Sequence, residues 1–441
     1  MNCYVCSKSD WHKIPGLHSR SIIQICKGCG ALCHDVTPER DKRMFDYYKT
    51  EFRKAPNHSN LVTTTNKLQY ILKFLGPWLE GKKGLVCGDV GAATGYVLQW
   101  LRSQGHRVTG SEYAIAFRRM SEHFYGIPLT EELEPKHKYD LIILYHVLEH
   151  MSEPDKKLEK YRDMLSENGI LYVSTPYYLG ELEHQTGNPI SGEKYPTGQL
   201  AFEELFHKDH VDLFTKECLQ NLFRKVGLTV IKDDFTLYGQ SYLLKAGNKQ
   251  DIHPEDWNEV LEKLRKQRHA IELYTEGKFS DAIKVWPDFP EAHIQMVFRT
   301  YGKDPDRQQD MLNNLPASMK KHSRVLHAKA QWLMQYERLE EALQVWAESA
   351  EFKPTIDAII RSAECFTRLK RPREAMNAYA KAAELHPYKW AYCYDEILAN
   401  ACSIETWDER GAREAKEILF KDALLKGIVK TENPPLIGAN G

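Results

Sequence analysis

The stretch Leu85 to Gly95, LVCGDVGAATG, constrains this chain more than any other segment of similar length. Its apolar start reads as a β-strand, and the run YVLQWLRSQG that follows at once reads as a helix. Between them Asp89, Gly91 and Gly95 stand at the spacing D-x-G-x-x-x-G. Glycines at a strand-to-helix turn let backbone lie close against a ligand, because no Cβ intervenes and the required dihedrals cost little. The spacing departs from the G-x-G-x-x-G of dinucleotide sites and argues against NAD. A second strand-like run, HRVTGSE, ends at Glu112, a carboxylate placed to accept both hydrogen bonds of a ribose diol.

Strand-like runs then alternate with helical ones as far as about Lys245: DLIILYH, GILYVSTP, TVIKDDF and SYLLKA follow the first two. This alternation predicts an α/β domain on a mainly parallel sheet. A helical pattern over residues 55–82 (Leu68, Ile71, Leu72, Leu75), expected to end at Gly76-Pro77, leads into it. The polar stretch Gly247 to Pro254 reads as a linker, and beyond it strand signals give way to helices. With 441 residues the chain exceeds the usual reach of one core, so separate modules are expected at 1–54, 55–246 and 255–425.

The 60 Lys and Arg balance 61 Asp and Glu, which leaves no global field to draw nucleic acid or an anionic membrane. No run approaches the roughly 18 apolar residues of a membrane span, and MNCYVCSKSD is no secretory leader, so a cytoplasmic protein without membrane partners is expected.

Five of the ten cysteines fall within the first 33 residues. Cys3-x2-Cys6 and Cys26-x2-Cys29 form two knuckles with 19 residues between them, the spacing of a four-cysteine zinc ribbon. Gly28 and Gly30 suit the tight second knuckle, and Cys33 reads as a packing thiol. Residues 1–54 hold ten basic against six acidic residues, and four thiolates on Zn²⁺ would add two negative charges, leaving too little surplus for phosphate-backbone binding.

In the C-terminal part the segments YTEGKFSDAIKVW, QYERLEEALQVW and TRLKRPREAMNAY each carry Ala followed four residues later by a large aromatic: Ala282/Trp286, Ala342/Trp346 and Ala375/Tyr379. The last two are 33 residues apart and the first two 60, and Pro387 closes the third. These segments resemble tetratricopeptide repeats, whose period is ~34 residues and whose small alanines let helix pairs pack closely. Such repeats can bind a protein partner, self-associate or buttress a neighbouring domain.

The glycine turn, Glu112, the strand ending at Tyr145-His146 and the stretch VLEHMSEPDKKLEKYRDMLSENGILYVSTP with its Asn168-Gly169 turn resemble, in this order, the motifs of class I S-adenosylmethionine (SAM)-dependent methyltransferases. The resemblance implies a Rossmann-like α/β sheet; the cysteine spacing places a zinc ribbon before it, and the repeat pattern an all-α tetratricopeptide-like domain after it. The resemblance also implies SAM as cofactor, held by Asp89, Gly91, Ala92, Gly95, Glu112 and Tyr145, while the knuckle spacing gives Zn²⁺ held by Cys3, Cys6, Cys26 and Cys29.

The sulfonium methyl is already activated, so the protein must align an acceptor and, for a hydroxyl or carbon acid, remove its proton. His150 is one candidate base, and Asp209-His210 in FHKDHVDLFTKECLQNLF is another. That segment is similar to one in sugar C-methyltransferases, with Phe214-Thr215 matching but Asp209 in place of Glu, and His207 and Lys208 in place of other residues. CKGCGAL followed by Asp46-Tyr47-Tyr48 resembles the cysteine module that covers the acceptor pocket in the same family. The resemblance spans residues 1–245 and implies a small acceptor, a sugar or nucleotide-linked sugar. Two other readings stand beside it: methylation of a protein or other macromolecule recruited by the repeats, and a non-catalytic interaction protein with a vestigial SAM fold.

Overall fold

The computed structural model describes residues 2–16, 21–35, 42, 46–47, 49, 58–178, 210–235, 239–298, 304–352, 355–385, 393, 396–397 and 400. In chain order the elements are β1 (Trp11–Ile14), β2 (Ile23–Cys26), β3 (Leu32–His34), α1 (His58–Leu79), β4 (Val86–Val90), α2 (Tyr96–Ser103), β5 (Arg107–Ser111), α3 (Ile115–Tyr125), β6 (Tyr139–Tyr145), α4 (Pro154–Asp163), β7 (Leu165–Thr175), β8 (Asp212–Leu213), α5 (Lys216–Val226), β9 (Leu228–Asp234) and β10 (Gln240–Ala246). Helices follow: α6 (Trp257–Thr275), α7 (Phe279–Val285), α8 (Pro290–Phe298), α9 (Pro305–Asn313), α10 (Ala317–Lys320), α11 (Ser323–Gln335), α12 (Leu339–Phe352), α13 (Ile356–Arg368) and α14 (Pro372–Leu385). The chain forms two compact units, Met1–Tyr47 with Glu134–Val325, and Tyr48–Leu133 with Leu326–Gly441.

In the first unit β6 and β7 pair in parallel, and β10 lies antiparallel to both β7 and β9. Leu141 to Leu144 and Leu171 to Val173 are fully buried, as expected of strands covered on both faces. The antiparallel β9 and β10 turn the mainly parallel sheet of the sequence reading into a mixed one. The expected Asn168-Gly169 turn lies inside β7, where the register against β6 shifts between Tyr139 and Leu141. A Cβ on Gly169 would fall 2.5 Å from the Tyr139 carbonyl oxygen, so glycine permits this close passage.

The cysteine-rich segment forms a second sheet of the same unit, ordered β1-β2-β3-β8. Its fourth strand comes from far along the chain, with Leu32 opposite Leu213 and Cys33 opposite Asp212. Beneath it Ile14, Ile23, Ile25 and Leu32 share one apolar core with Val260, Leu264 and Ile271 of α6 and Ala282 of α7. The predicted linker is a fastened strap. Gln250 N–H donates to the Arg224 carbonyl, Asn221 bonds His253 through both its amide groups, and Glu255 N–H donates to the Cys29 carbonyl.

In the second unit β4 and β5 run parallel in register from Val86↔Arg107 to Val90↔Ser111. Helix α1 continues through Gly76-Pro77 to Leu79 instead of ending there. Proline in a last turn removes one backbone donor near an end that frays anyway, a small cost compared with a mid-helix position. Further along, α12 packs on α13 and α13 on α14. Ala342, Trp346, Ala375 and Tyr379 are all buried. Each expected repeat also turns on one left-handed residue, Gly277, Glu337 or Lys370, five positions before its alanine. In the first, α7 ends at Val285 before its aromatic, because Pro287 follows; Trp286 instead stacks on Phe289 at 5.1 Å. Pro387 lies outside the described residues.

Candidate active site and metal centre

Strand β4 ends in the fully buried Asp89 and Val90, and the chain then turns through three left-handed residues, Gly91 (φ 66°), Ala93 (φ 49°) and Gly95 (φ 76°). A non-glycine residue held in this region is strained, and such strain concentrates where backbone is shaped for a ligand. Ala92 N–H donates to the Ser111 carbonyl at 2.9 Å, which ties the turn to the end of β5. Glu112 is the brace. Its Oε2 accepts from Ala93 N–H and its Oε1 from Ala114 N–H, both at 2.9 Å. Each carboxylate oxygen keeps a lone pair for a further donor, so bracing and ribose binding are compatible. Gly95 serves packing: a Cβ there would lie 2.2 Å from Ser121 Oγ on α3.

The chemistry of this donor set fits SAM. Helix α2 starts without a side-chain cap, and the buried Thr94 hydroxyl makes no hydrogen bond among the described residues. A polar turn of this kind, with a carboxylate at the end of the next strand, matches a nucleoside carrying an amino-acid tail. Of the residues expected to hold the cofactor, Asp89, Gly91, Ala92, Gly95 and Glu112 belong to this turn. Tyr145 ends β6 in the other unit, half-buried, with its ring 4.6 Å from that of His146.

After β6 the backbone passes through His146 (φ 53°) into a short 3-10 turn, Leu148–His150. The Glu149 carbonyl accepts Val211 N–H at 2.7 Å, which holds this turn against the segment that carries His210. As a result the rings of His150 and His210 meet edge to face, 4.7 Å apart, so the two candidate histidines are brought together. Asp209, like His207, Lys208 and Tyr48, lies outside the described residues. The fully buried Tyr178 hydroxyl hydrogen-bonds His210 Nδ1, and burial pushes its phenol well above the usual range, so it remains neutral.

Sequence reasoning passed over Glu149, although the Leu-Glu-His step was in view. Its side chain is fully buried, and burial pushes its carboxyl up to about 8. Neither carboxylate oxygen makes a hydrogen bond among the described residues, and His146 Nδ1 stands 3.6 Å from Oε1. Tyr178 was missed as well. An isolated tyrosine after β7 carries no signal until His210 is folded against it.

The two cysteine knuckles converge: Cys3, Cys6, Cys26 and Cys29 place their sulfurs within 4.8 Å of one another. Cys3 Sγ is 3.6 Å from Cys29 Sγ, and Cys6 Sγ 3.5 Å from Cys26 Sγ. Hydrogen bonds from Cys29 and then Cys3 lower the Cys26 thiol while Cys3 and Cys29 are pushed up in turn, so the cluster favours one thiolate, at Cys26. A Cβ on Gly28 would meet Lys8 Cδ at 2.7 Å and Cys6 Sγ at 3.1 Å, which explains the glycine in the knuckle. Cys33 stands apart from the cluster, buried, and accepts from Gln24 at 3.4 Å.

Residues 63–233 match a family of sequences described as a methyltransferase domain. The tRNA U34 carboxymethyltransferase of Campylobacter lari is 26% identical over 145 residues, 30% of this chain. The chain spans 50% of the length of that curated relative. Among solved structures, magnesium protoporphyrin IX methyltransferase from Synechocystis PCC 6803 with bound SAM is 13% identical, covering 48% of this chain and 99% of that one, at a TM-score of 0.33. The 1,6-didemethyltoxoflavin-N1-methyltransferase of Burkholderia thailandensis is 16% identical, covering 55% and 100% respectively, at a TM-score of 0.33. The family match takes in the glycine turn, Glu112 and the Glu149-His150 step. The chain thus carries a methyltransferase domain, an enzyme domain, over residues 63–233.

Proposed function

We propose that the chain transfers a methyl group from SAM to oxygen or carbon of a small acceptor, a sugar or nucleotide-linked sugar. The observation that carries this reading is the pairing of His150 with His210 under Tyr178, a polar, titratable cluster of the kind that removes a proton from an acceptor. When bound, SAM supplies a methyl group on a sulfonium sulfur.

In this reading the turn from Asp89 to Gly95 and Glu112 hold the nucleoside and the amino-acid tail, and Tyr145 joins them. His150 or His210, with Asp209 beside it in sequence, takes the acceptor's proton. The cysteine cluster holds structural Zn²⁺, since four thiolates close a tetrahedral shell and leave no position for chemistry. Metal analysis of Cys3→Ser is expected to find less zinc than in wild type; full retention would reject the four-cysteine site.

A second reading, methylation of a macromolecule, is supported by the packed helices α12–α14 and the recurring left-handed turns, a form suited to holding a partner. The Campylobacter lari relative, by its name, acts on tRNA. The balanced charge of this chain disfavours nucleic acid and leaves a protein partner, or self-association, as the role of the helices.

The deciding experiment incubates purified protein with labelled SAM and separate sets of nucleotide sugars, nucleotides and peptides. Label in a sugar is the expected result, and label only in peptides would replace the first reading with the second. Absence of SAM binding by calorimetry would leave an interaction protein with a vestigial fold.

A further inference from the structure

We propose that Glu149, His150 and His210 bind a divalent transition-metal ion, separate from the thiolate cluster, whose open positions take an oxygen of the acceptor. The inference rests on the methyl-transfer reading for the identity of that oxygen and replaces its histidine base with a metal-held acceptor.

Each of the three residues offers a ligand atom, and these atoms all lie within 4.8 Å of one another. A metal with bonds of about 2.1 Å needs its ligands roughly 3 to 4 Å apart, a distance that small side-chain rotations supply. Two imidazoles and one carboxylate form a ligand set for zinc, cobalt, manganese or iron with coordination positions left over.

Glu149 provides an independent reason. A carboxylate removed from water costs several kcal/mol, by order of magnitude, unless hydrogen bonds or a cation offset it. Glu149 is fully buried and its oxygens make no hydrogen bond among the described residues, where the ionisable group beside it is His146 at 3.6 Å. A divalent ion held jointly with His150 and His210 would supply the missing charge.

The supporting groups are also of the right kind. Metal-bound histidines commonly hold their second nitrogen to a partner that fixes the ring. The Tyr178 oxygen stands at His210 Nδ1, and by accepting that N–H it would leave Nε2 as the ligand atom. The hydrogen bond from Val211 N–H to the Glu149 carbonyl fixes the distance between the two contributing segments.

Imidazoles bound to a metal are not free bases, so the proton is handled differently from the simplest histidine mechanism. An acceptor hydroxyl on the cation loses its proton to water more readily than it does when free. Its oxygen lone pair then forms the bond to the methyl carbon, while the carbon–sulfur bond breaks and its electron pair goes to sulfur.

The test is a Mn²⁺ titration of the full chain, purified with its zinc retained, following the electron paramagnetic resonance of free Mn²⁺. Manganese prefers nitrogen and oxygen ligands and competes poorly for thiolates. One saturable ion per chain is expected. Glu149→Gln and His210→Gln should each weaken it at least about a hundredfold, and His137→Gln, an exposed histidine outside the cluster, should leave it unchanged. Calorimetry with SAM on the same samples identifies folded variants, and His150→Gln replaces any that fails to fold. No saturable Mn²⁺ in wild type, or equal affinity in the folded cluster variants, overturns the site. Mn²⁺ binding without SAM binding would support the metal site and defeat the methyl-transfer reading alone.

Discussion

The turn from Gly91 to Gly95 takes its shape from five consecutive residues and one brace, Glu112, nineteen positions beyond Ala93, whereas the Glu149, His150 and His210 cluster joins segments sixty residues apart. The first is made of backbone: left-handed dihedrals, N–H groups and a carboxylate that accepts one of them and is itself anchored by Ala114 N–H. The second is made of side chains, brought together by one backbone hydrogen bond and a buried tyrosine. A site made of backbone tolerates changes of side chain that keep its dihedrals, and fails at its glycines. A site made of side chains fails group by group.

The largest effect should therefore come from Gly95→Val. The new side chain would enter the space of Ser121 Oγ and would hold a β-branched residue at a φ of 76°, so calorimetry should detect no SAM binding. Wild-type affinity would show that the turn does not rest on that packing. Glu112→Ala comes next. Hydrogen bonds to a charged group are worth about 1.5–3 kcal/mol, so losing the brace and the ribose contacts should weaken SAM about tenfold to a hundredfold. Unchanged affinity would remove Glu112 from the site.

Tyr178→Phe gives the smallest change and sharpens the contrast most. It deletes only the hydroxyl at His210 Nδ1, worth about 1 kcal/mol, so acceptor turnover should fall about fivefold. SAM affinity should stay the same. An equal loss in SAM affinity would mean that the histidine cluster also serves the cofactor.

The same contrast explains what could be read before folding. Asp89, Gly91, Gly95 and Glu112 stood out because a strand, a turn and a helix follow one another in sequence, and local order survives in a string of letters. Strand periodicity likewise located β4, β5, β6, β9 and β10 to within a residue or two. His150 and His210 were each visible as isolated histidines, but their pairing was not, since it depends on Val211 reaching the Glu149 carbonyl. Glu149 and Tyr178 carried no signal, because burial and the partners that a buried group meets are properties of packing. The continuation of α1 through Pro77 and the fastening of residues 247–255 were hidden for a related reason: tertiary contacts decide whether a local breaker or a polar stretch is tolerated.

The cysteine-rich sheet has a consequence for how the protein is made. Its first three strands leave the ribosome early, but their fourth strand is β8, and the apolar residues that cover their inner face are on α6 and α7. At about 5–20 residues per second, more than two hundred further residues take on the order of tens of seconds to appear. Through that interval Ile14, Ile23, Ile25 and Leu32 have no access to the helices that bury them in the finished fold. The converged cysteines are the part of this sheet that can be assembled from its own first thirty residues, which makes them its natural point of early closure.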